Sequence, residues 1–68
     1  MFGNFQVGDQ VTRMLSGIIP MELKVTEITE EFVHCGPYKF SKKTGLEIDE
    51  ELGWTEYKSG SHLKVPEN

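Results

Sequence analysis

The 68 residues contain one cysteine, Cys35, so no intrachain disulfide can close. There is no CxxC and no HxxxH, which leaves a closed structural zinc site without ligands. A chain this short buries only about 60% of the surface its unfolded form exposes. Small domains commonly offset that shortfall with disulfides or a metal. Here the apolar core alone, or self-association, has to carry the fold. Basic charge is also scarce. Lys and Arg total 7 against 11 Asp and Glu, the net charge is −4, and Arg13 is the only arginine. Nucleic-acid binders present a basic stripe that neutralises phosphates, and this balance makes nucleic acid a poor partner. No apolar run approaches the ~20 residues of a spanning helix, so no membrane partner is expected. The opening MFGNFQVGDQ lacks the basic and apolar regions of a signal peptide, and with a single unpaired cysteine it points to the cytoplasm. Finally, no segment carries the three-and-four apolar spacing of an ordinary helix.

What is present is a series of short extended segments divided by turns. Residues 1–6 are a lead-in, in which Phe2 and Phe5 either dock on the core or fray with the terminus. Val7-Gly8-Asp9 is a turn signal, and Gln10–Leu15 follows as a strand. Val11 and Arg13 share a face there, so the strand must twist or bulge, or Arg13 must lie near a rim. Ser16-Gly17 breaks the run. Met21, Leu23 and Val25 then alternate with Glu22, Lys24 and Thr26, the clearest period-two pattern in the chain and the mark of a strand with one buried face. The pattern slips by one residue before Ile28, which predicts a bulge or bend near Thr26-Glu27.

Phe32–Cys35 is the next strand, with Val33 and Cys35 on one face and Phe32 and His34 on the other. Gly36-Pro37 stops it. Tyr38–Phe40 and Leu46–Ile48 read as a hairpin around Lys42-Lys43-Thr44-Gly45, with Gly45 at positive φ. Asp49–Gly53 has the residues of one helical turn: an N-cap aspartate, acids in the first turn and a terminal glycine. Thr55–Gly60 is a polar loop, Ser61–Val65 a last strand, and 66–68 a tail. Five or six short strands with closely spaced turns predict a single all-β domain over 1–68, a small antiparallel barrel with one helical turn.

The cadence FQVGDQV, a glycine-containing loop, MELKV, then ITEEFVHCG resembles the YodC-like small bacterial proteins of SH3-like fold, which share a VGDxV opening and a VxxI…VxC pattern. That likeness covers Phe5 to about Tyr38 and departs in the longer, more apolar loop MLSGIIPM. The second half resembles another group of short uncharacterised bacterial proteins with an IPM…CGxxxF…TGxEIDxxLGW run. Both resemblances imply an SH3-like barrel. Neither brings an activity that can be carried onto residues.

For chemistry, the constellations are thin. Cys35 and His34 are adjacent on a strand and point to opposite faces, so they cannot form a thiolate–imidazole pair. Cys35 reads as a small buried hydrophobe. Lys42-Lys43-Thr44-Gly45 lacks phosphate-loop spacing and reads as a turn. Glu47, Asp49, Glu50 and Glu51, with Glu56 nearby, lack an EF-hand pattern. They read as a solvated acidic rim, with weak divalent binding or acid–base work as the lesser alternative. No cofactor is implied.

The aromatics carry more. Tyr38, Phe40, Trp54 and Tyr57 lie close in sequence and flank the acids. Exposed aromatics among carboxylates can form a peptide groove. Trp54 has two readings, a plug for one end of the barrel or a surface contact. Ile18 and Ile19, with Pro20, Met21, Met14 and Leu15, form an apolar loop that either marks a partner surface or folds over an open end of the core. The expectation is a non-enzymatic binding or assembly module for a protein partner. The alternatives are a structural homodimer without a groove, and a weak cation binder or small enzyme using the acids.

Overall fold

The computed structural model describes residues 4–64 of the chain, and the expectations for Phe2, Val65 and the 66–68 tail lie outside them. Seven strands form among the described residues: β1 (Gln10–Leu15), β2 (Ile19–Lys24), β3 (Glu27–Ile28), β4 (Phe32–Cys35), β5 (Tyr38–Ser41), β6 (Glu47–Ile48) and β7 (Ser61–Leu63). They build two antiparallel sheets, ordered β2-β1-β7 and β3-β4-β5-β6. The all-β expectation is met. Among the described residues strand pairing gives two sheets and not one continuous closed ladder, and no helix is present.

The hairpins follow their turn chemistry. In the β1–β2 turn both Ser16 (φ 54°) and Gly17 (φ 74°) lie in the left-handed region, and the Ile18 N–H donates to the Leu15 carbonyl at 3.1 Å. Positive φ at both central residues is the pattern whose twist matches the flanking strands. The expected hairpin of Tyr38–Phe40 with Leu46–Ile48 is present, with Phe40 opposite Glu47 and Lys39 opposite Ile48, and Gly45 has φ 77°.

The expected break near Thr26-Glu27 is the corner between the sheets. The Val25 N–H donates back to the carbonyl of Asp9, just before β1, at 2.9 Å, and the Thr26 N–H donates to the His34 carbonyl of the second sheet at 2.8 Å. Two further links join the sheets at the other side: Leu46 bridges His62, and the Leu63 N–H donates to the Gly45 carbonyl at 2.8 Å.

Between the sheets lie Val11, Val25, Val33, Cys35, Phe40 and Leu63, with Phe5, Leu23, Ile28 and Tyr38 packed against them. The inward parity of Val33 and Cys35 is as the alternation predicts. The β2 alternation is only partly realised. Val25 is buried and Leu23 half-buried, but Met21 is exposed, because the core cluster reaches only the Val25 end of that strand.

Arg13 corrects the expectation of a bulge or a rim position. Its strand pairs with β2 in unbroken register from Gln10 to Leu15, and Arg13 is buried. Its Nε donates to Glu47 Oε1 at 2.7 Å, and its guanidinium carbon sits 4.5 Å from the centre of the Tyr38 ring. A buried cation is tolerable only when paired and hydrogen-bonded, and Glu47 supplies the pairing from the opposite sheet.

The helical turn at Asp49–Gly53 is also corrected. The local signals operate: Asp49 Oδ1 accepts from the Glu51 and Leu52 N–H groups at 3.0 and 3.2 Å, and the Gly53 N–H donates to Glu50 O at 3.3 Å. However, the Trp54 N–H then donates to Asp49 O at 2.8 Å, and the Asp49 N–H donates to Trp54 O at 3.1 Å. That pair closes the segment as a hairpin loop and leaves no room for a helix to propagate.

Candidate functional site

The outer face of the second sheet is where the pleat puts the side chains that do not enter the core. Alternation places Phe32 and His34 of β4, Lys39 and Ser41 of β5, and Ile48 of β6 on that face. A solvated sheet face is ordinarily polar. Here it carries Phe32 and Ile48, and the Asp49–Trp54 bridge folds the indole toward the same side.

Trp54 is half-buried and lies outside the core cluster, so it neither plugs the core nor stands free. It rests on Gly60, where a Cβ would come within 2.7 Å of the indole Cζ2. The absence of a side chain at Gly60 is therefore what seats the ring. Together Phe32, Ile48 and Trp54 make the apolar part of a groove of about 560 Å³. Glu30, Glu31, Glu50 and Glu56 rim it, with Lys42 and Lys43. Glu56 Oε2 accepts from the Ser41 hydroxyl at 3.3 Å, which ties the loop after Trp54 to β5.

A second, shallower depression adjoins it. It includes His34, Tyr38, Lys39, Glu47, Asp49 and Glu51, and shares Ile48 and Glu50 with the groove. Lys39 stands at the boundary. Its ammonium lies 4.9 Å from the centre of the Phe32 ring and 3.6 Å from Glu50 Oε1. His34 meets the Phe32 ring edge to face at 6.0 Å.

The residues singled out from sequence divide sharply. Trp54 lies in the groove, and Tyr57 beyond it is 83% exposed. Phe40 is fully buried at the centre of the core, so it cannot meet a partner: it shares the inward parity of its strand with Glu47, opposite it in the ladder. Tyr38 is half-buried and its ring is engaged with Arg13, which removes it from the groove. Ile18 and Ile19 are exposed, at 77% and 54%, and do not line Trp54's groove, although the turn before them reaches Gly60, whose carbonyl accepts from the Ser16 N–H at 2.7 Å. Ile19, Pro20 and Met21 belong to β2 and not to a loop.

The acids divide as well. Glu47 leaves the expected acidic rim because it is buried against Arg13. Asp49 spends one carboxylate oxygen on its own loop, and Glu50 and Glu51 are exposed. Among the described residues no group of three or more His, Cys, Asp or Glu side chains could hold a metal ion. Burial pushes the Cys35 thiol above its ordinary pKa of 9.0, the opposite of an activated nucleophile.

Phe32 and Ile48 are groove residues that reading the sequence for chemistry missed. Their signal was available in the alternation, since Phe32 shares a face with His34 and not with the buried Val33. No protein-family model, no curated protein and no solved structure matches this chain.

Proposed function

We propose that this chain is a non-enzymatic binding module for a protein partner, working in the cytoplasm, with the groove at Trp54 as its contact surface. The observation that carries the reading is the placement of Phe32, Ile48 and Trp54 on the outer face of a sheet, around a concave surface rimmed by carboxylates. Ligand sites are typically concave and apolar with a few polar groups. Aromatic anchors in such a surface suit an extended peptide segment. The burial of the Cys35 thiol and the engagement of Glu47 with Arg13 support a binding reading over a catalytic one for these two residues.

An SH3-like barrel is the fold description we propose with it. The chain turning from one sheet to the other at Val25-Thr26, and the Leu46–His62 bridge on the opposite side, support that description. The YodC-like cadence from Phe5 to Tyr38 points the same way.

The test uses the single tryptophan as its reporter. A random octapeptide library displayed on phage is panned on the folded protein, and selected peptides are titrated while Trp54 emission is followed. Enriched peptides should shift the emission and compete with one another, and Ile48→Glu should abolish binding while leaving the circular dichroism spectrum unchanged. Failure to enrich any peptide removes the groove reading.

A second reading is homodimerisation through β2. It is favoured by that strand's position at the edge of its sheet and by the exposure of Ile18, Ile19 and Met21.

A further inference from the structure

Lys39 makes two contacts that a partner's cation would also make. Its ammonium faces the Phe32 ring at 4.9 Å and the Glu50 carboxylate at 3.6 Å, and both of those residues line the groove. A ring face with a carboxylate beside it is a cation seat: the quadrupole and the charge attract the same sign. Lys39 fills that seat only loosely. A third of its side chain is exposed, Glu50 is 87% exposed, and 3.6 Å is long for a charge-assisted hydrogen bond. Exposed pairs of this kind contribute little. Lys39 also stands between the groove and the shallower depression that share Ile48 and Glu50, so moving its side chain would open one surface into the other.

We infer that Lys39 is a built-in occupant of this cation seat, and that the groove's partner is a peptide segment carrying an arginine beside an apolar anchor. The anchor packs among Phe32, Ile48 and Trp54. The arginine displaces Lys39, stacks on Phe32 and pairs with Glu50. Arginine suits the seat better than the resident lysine, because its planar guanidinium lies flat on an aromatic face and meets a carboxylate with two donors. The charge around the groove agrees, with four carboxylates from Glu30, Glu31, Glu50 and Glu56 against the two ammonium groups of Lys42 and Lys43. Displacement costs little, since the released Lys39 ammonium reaches solvent directly.

This inference rests on the groove reading, and the experiment separates the two. The octapeptide library is panned in parallel on the wild type and on Lys39→Met, which keeps an apolar stem and removes the charge. Selected peptides should carry arginine next to an aliphatic or aromatic residue. Lys39→Met should bind them about two- to fivefold tighter than the wild type, the gain expected from an exposed cation–aromatic contact no longer contested. Lys58→Met, which removes the same charge outside the groove, is the control for general electrostatics and should gain less. Glu50→Gln should weaken binding, and replacing the peptide's arginine with citrulline should erase the difference between wild type and Lys39→Met. Peptides enriched without basic residues would overturn the inference and leave the groove. Equal gains from Lys39→Met and Lys58→Met, or no gain from Lys39→Met, would overturn it as well. No enriched peptide on either protein would remove both.

Discussion

Removing either Arg13 or Glu47 alone would strand the other charge between the sheets. Arg13 on β1 and Glu47 on β6 meet at 2.7 Å with both side chains nearly sealed from solvent. Breaking such a pair typically costs about 3–5 kcal/mol, whereas replacing both members with apolar residues of similar volume is often neutral. Arg13→Met and Glu47→Gln should each lower the urea midpoint steeply, while Arg13→Met with Glu47→Leu should recover most of the loss. Equal destabilisation in singles and double would show that packing, not the stranded charge, sets the cost. The sequence carried only the conflict that this pair resolves. Arg13 shares a face with Val11, a conflict that pointed to a twist, a bulge or a rim position and not to a buried pair, and its anion lies 34 residues away. Leu46 and Ile48 drew the apolar parity of their strand to themselves and hid Glu47 between them. The pairing with Phe40 sets the parity the other way, and local alternation cannot reveal a cross-strand partner.

Among the elements, the loop that carries Trp54 is the one where local propensity and final structure diverge. Asp49 caps Glu51 and Leu52 as it would at a helix start, but the Asp49–Trp54 pairing closes the loop after one turn. The indole then needs a place to lie, and Gly60 provides it. Gly60→Ala would put a methyl 2.7 Å from the indole Cζ2. Overpacking of this kind costs about 1–3 kcal/mol. The variant should lose stability in denaturant titration and shift Trp54 emission to the red as the ring lifts into water. An unchanged spectrum would mean that the ring does not depend on that seat. The hairpins were far more legible. Gly17 and Gly45 mark turns that require positive φ, and the slip between Val25 and Ile28 marked the corner correctly. These signals act over a few residues, which is the range a sequence expresses directly.

Across the whole molecule, the first sheet ends in an edge that nothing among the described residues covers. Ile18 and Ile19 are well exposed beside Met21, and Pro20 interrupts the edge with a residue that cannot donate. Proline and charge are common devices against edge-to-edge pairing, and Glu22 and Lys24 supply the charge on this strand. If the edge nevertheless joins two copies, sedimentation should show a mass that rises toward the dimer with concentration, and Met21→Lys should return it to the monomer. A monomer mass at all concentrations would remove that reading. Scale also decides what composition could and could not determine. Period-two alternation and the turn residues by themselves settled an all-β chain, with β1 and β4 placed to the residue and Cys35 inside. These follow from residue type and nearest-neighbour spacing. Tertiary structure alone decided that Phe40 and Glu47 point inward, that Arg13 is paired rather than peripheral, and that Phe32, Ile48 and Trp54 share a groove. Each of those depends on which strands lie side by side, and the free energy that selects that pairing comes from contacts between residues far apart in the chain.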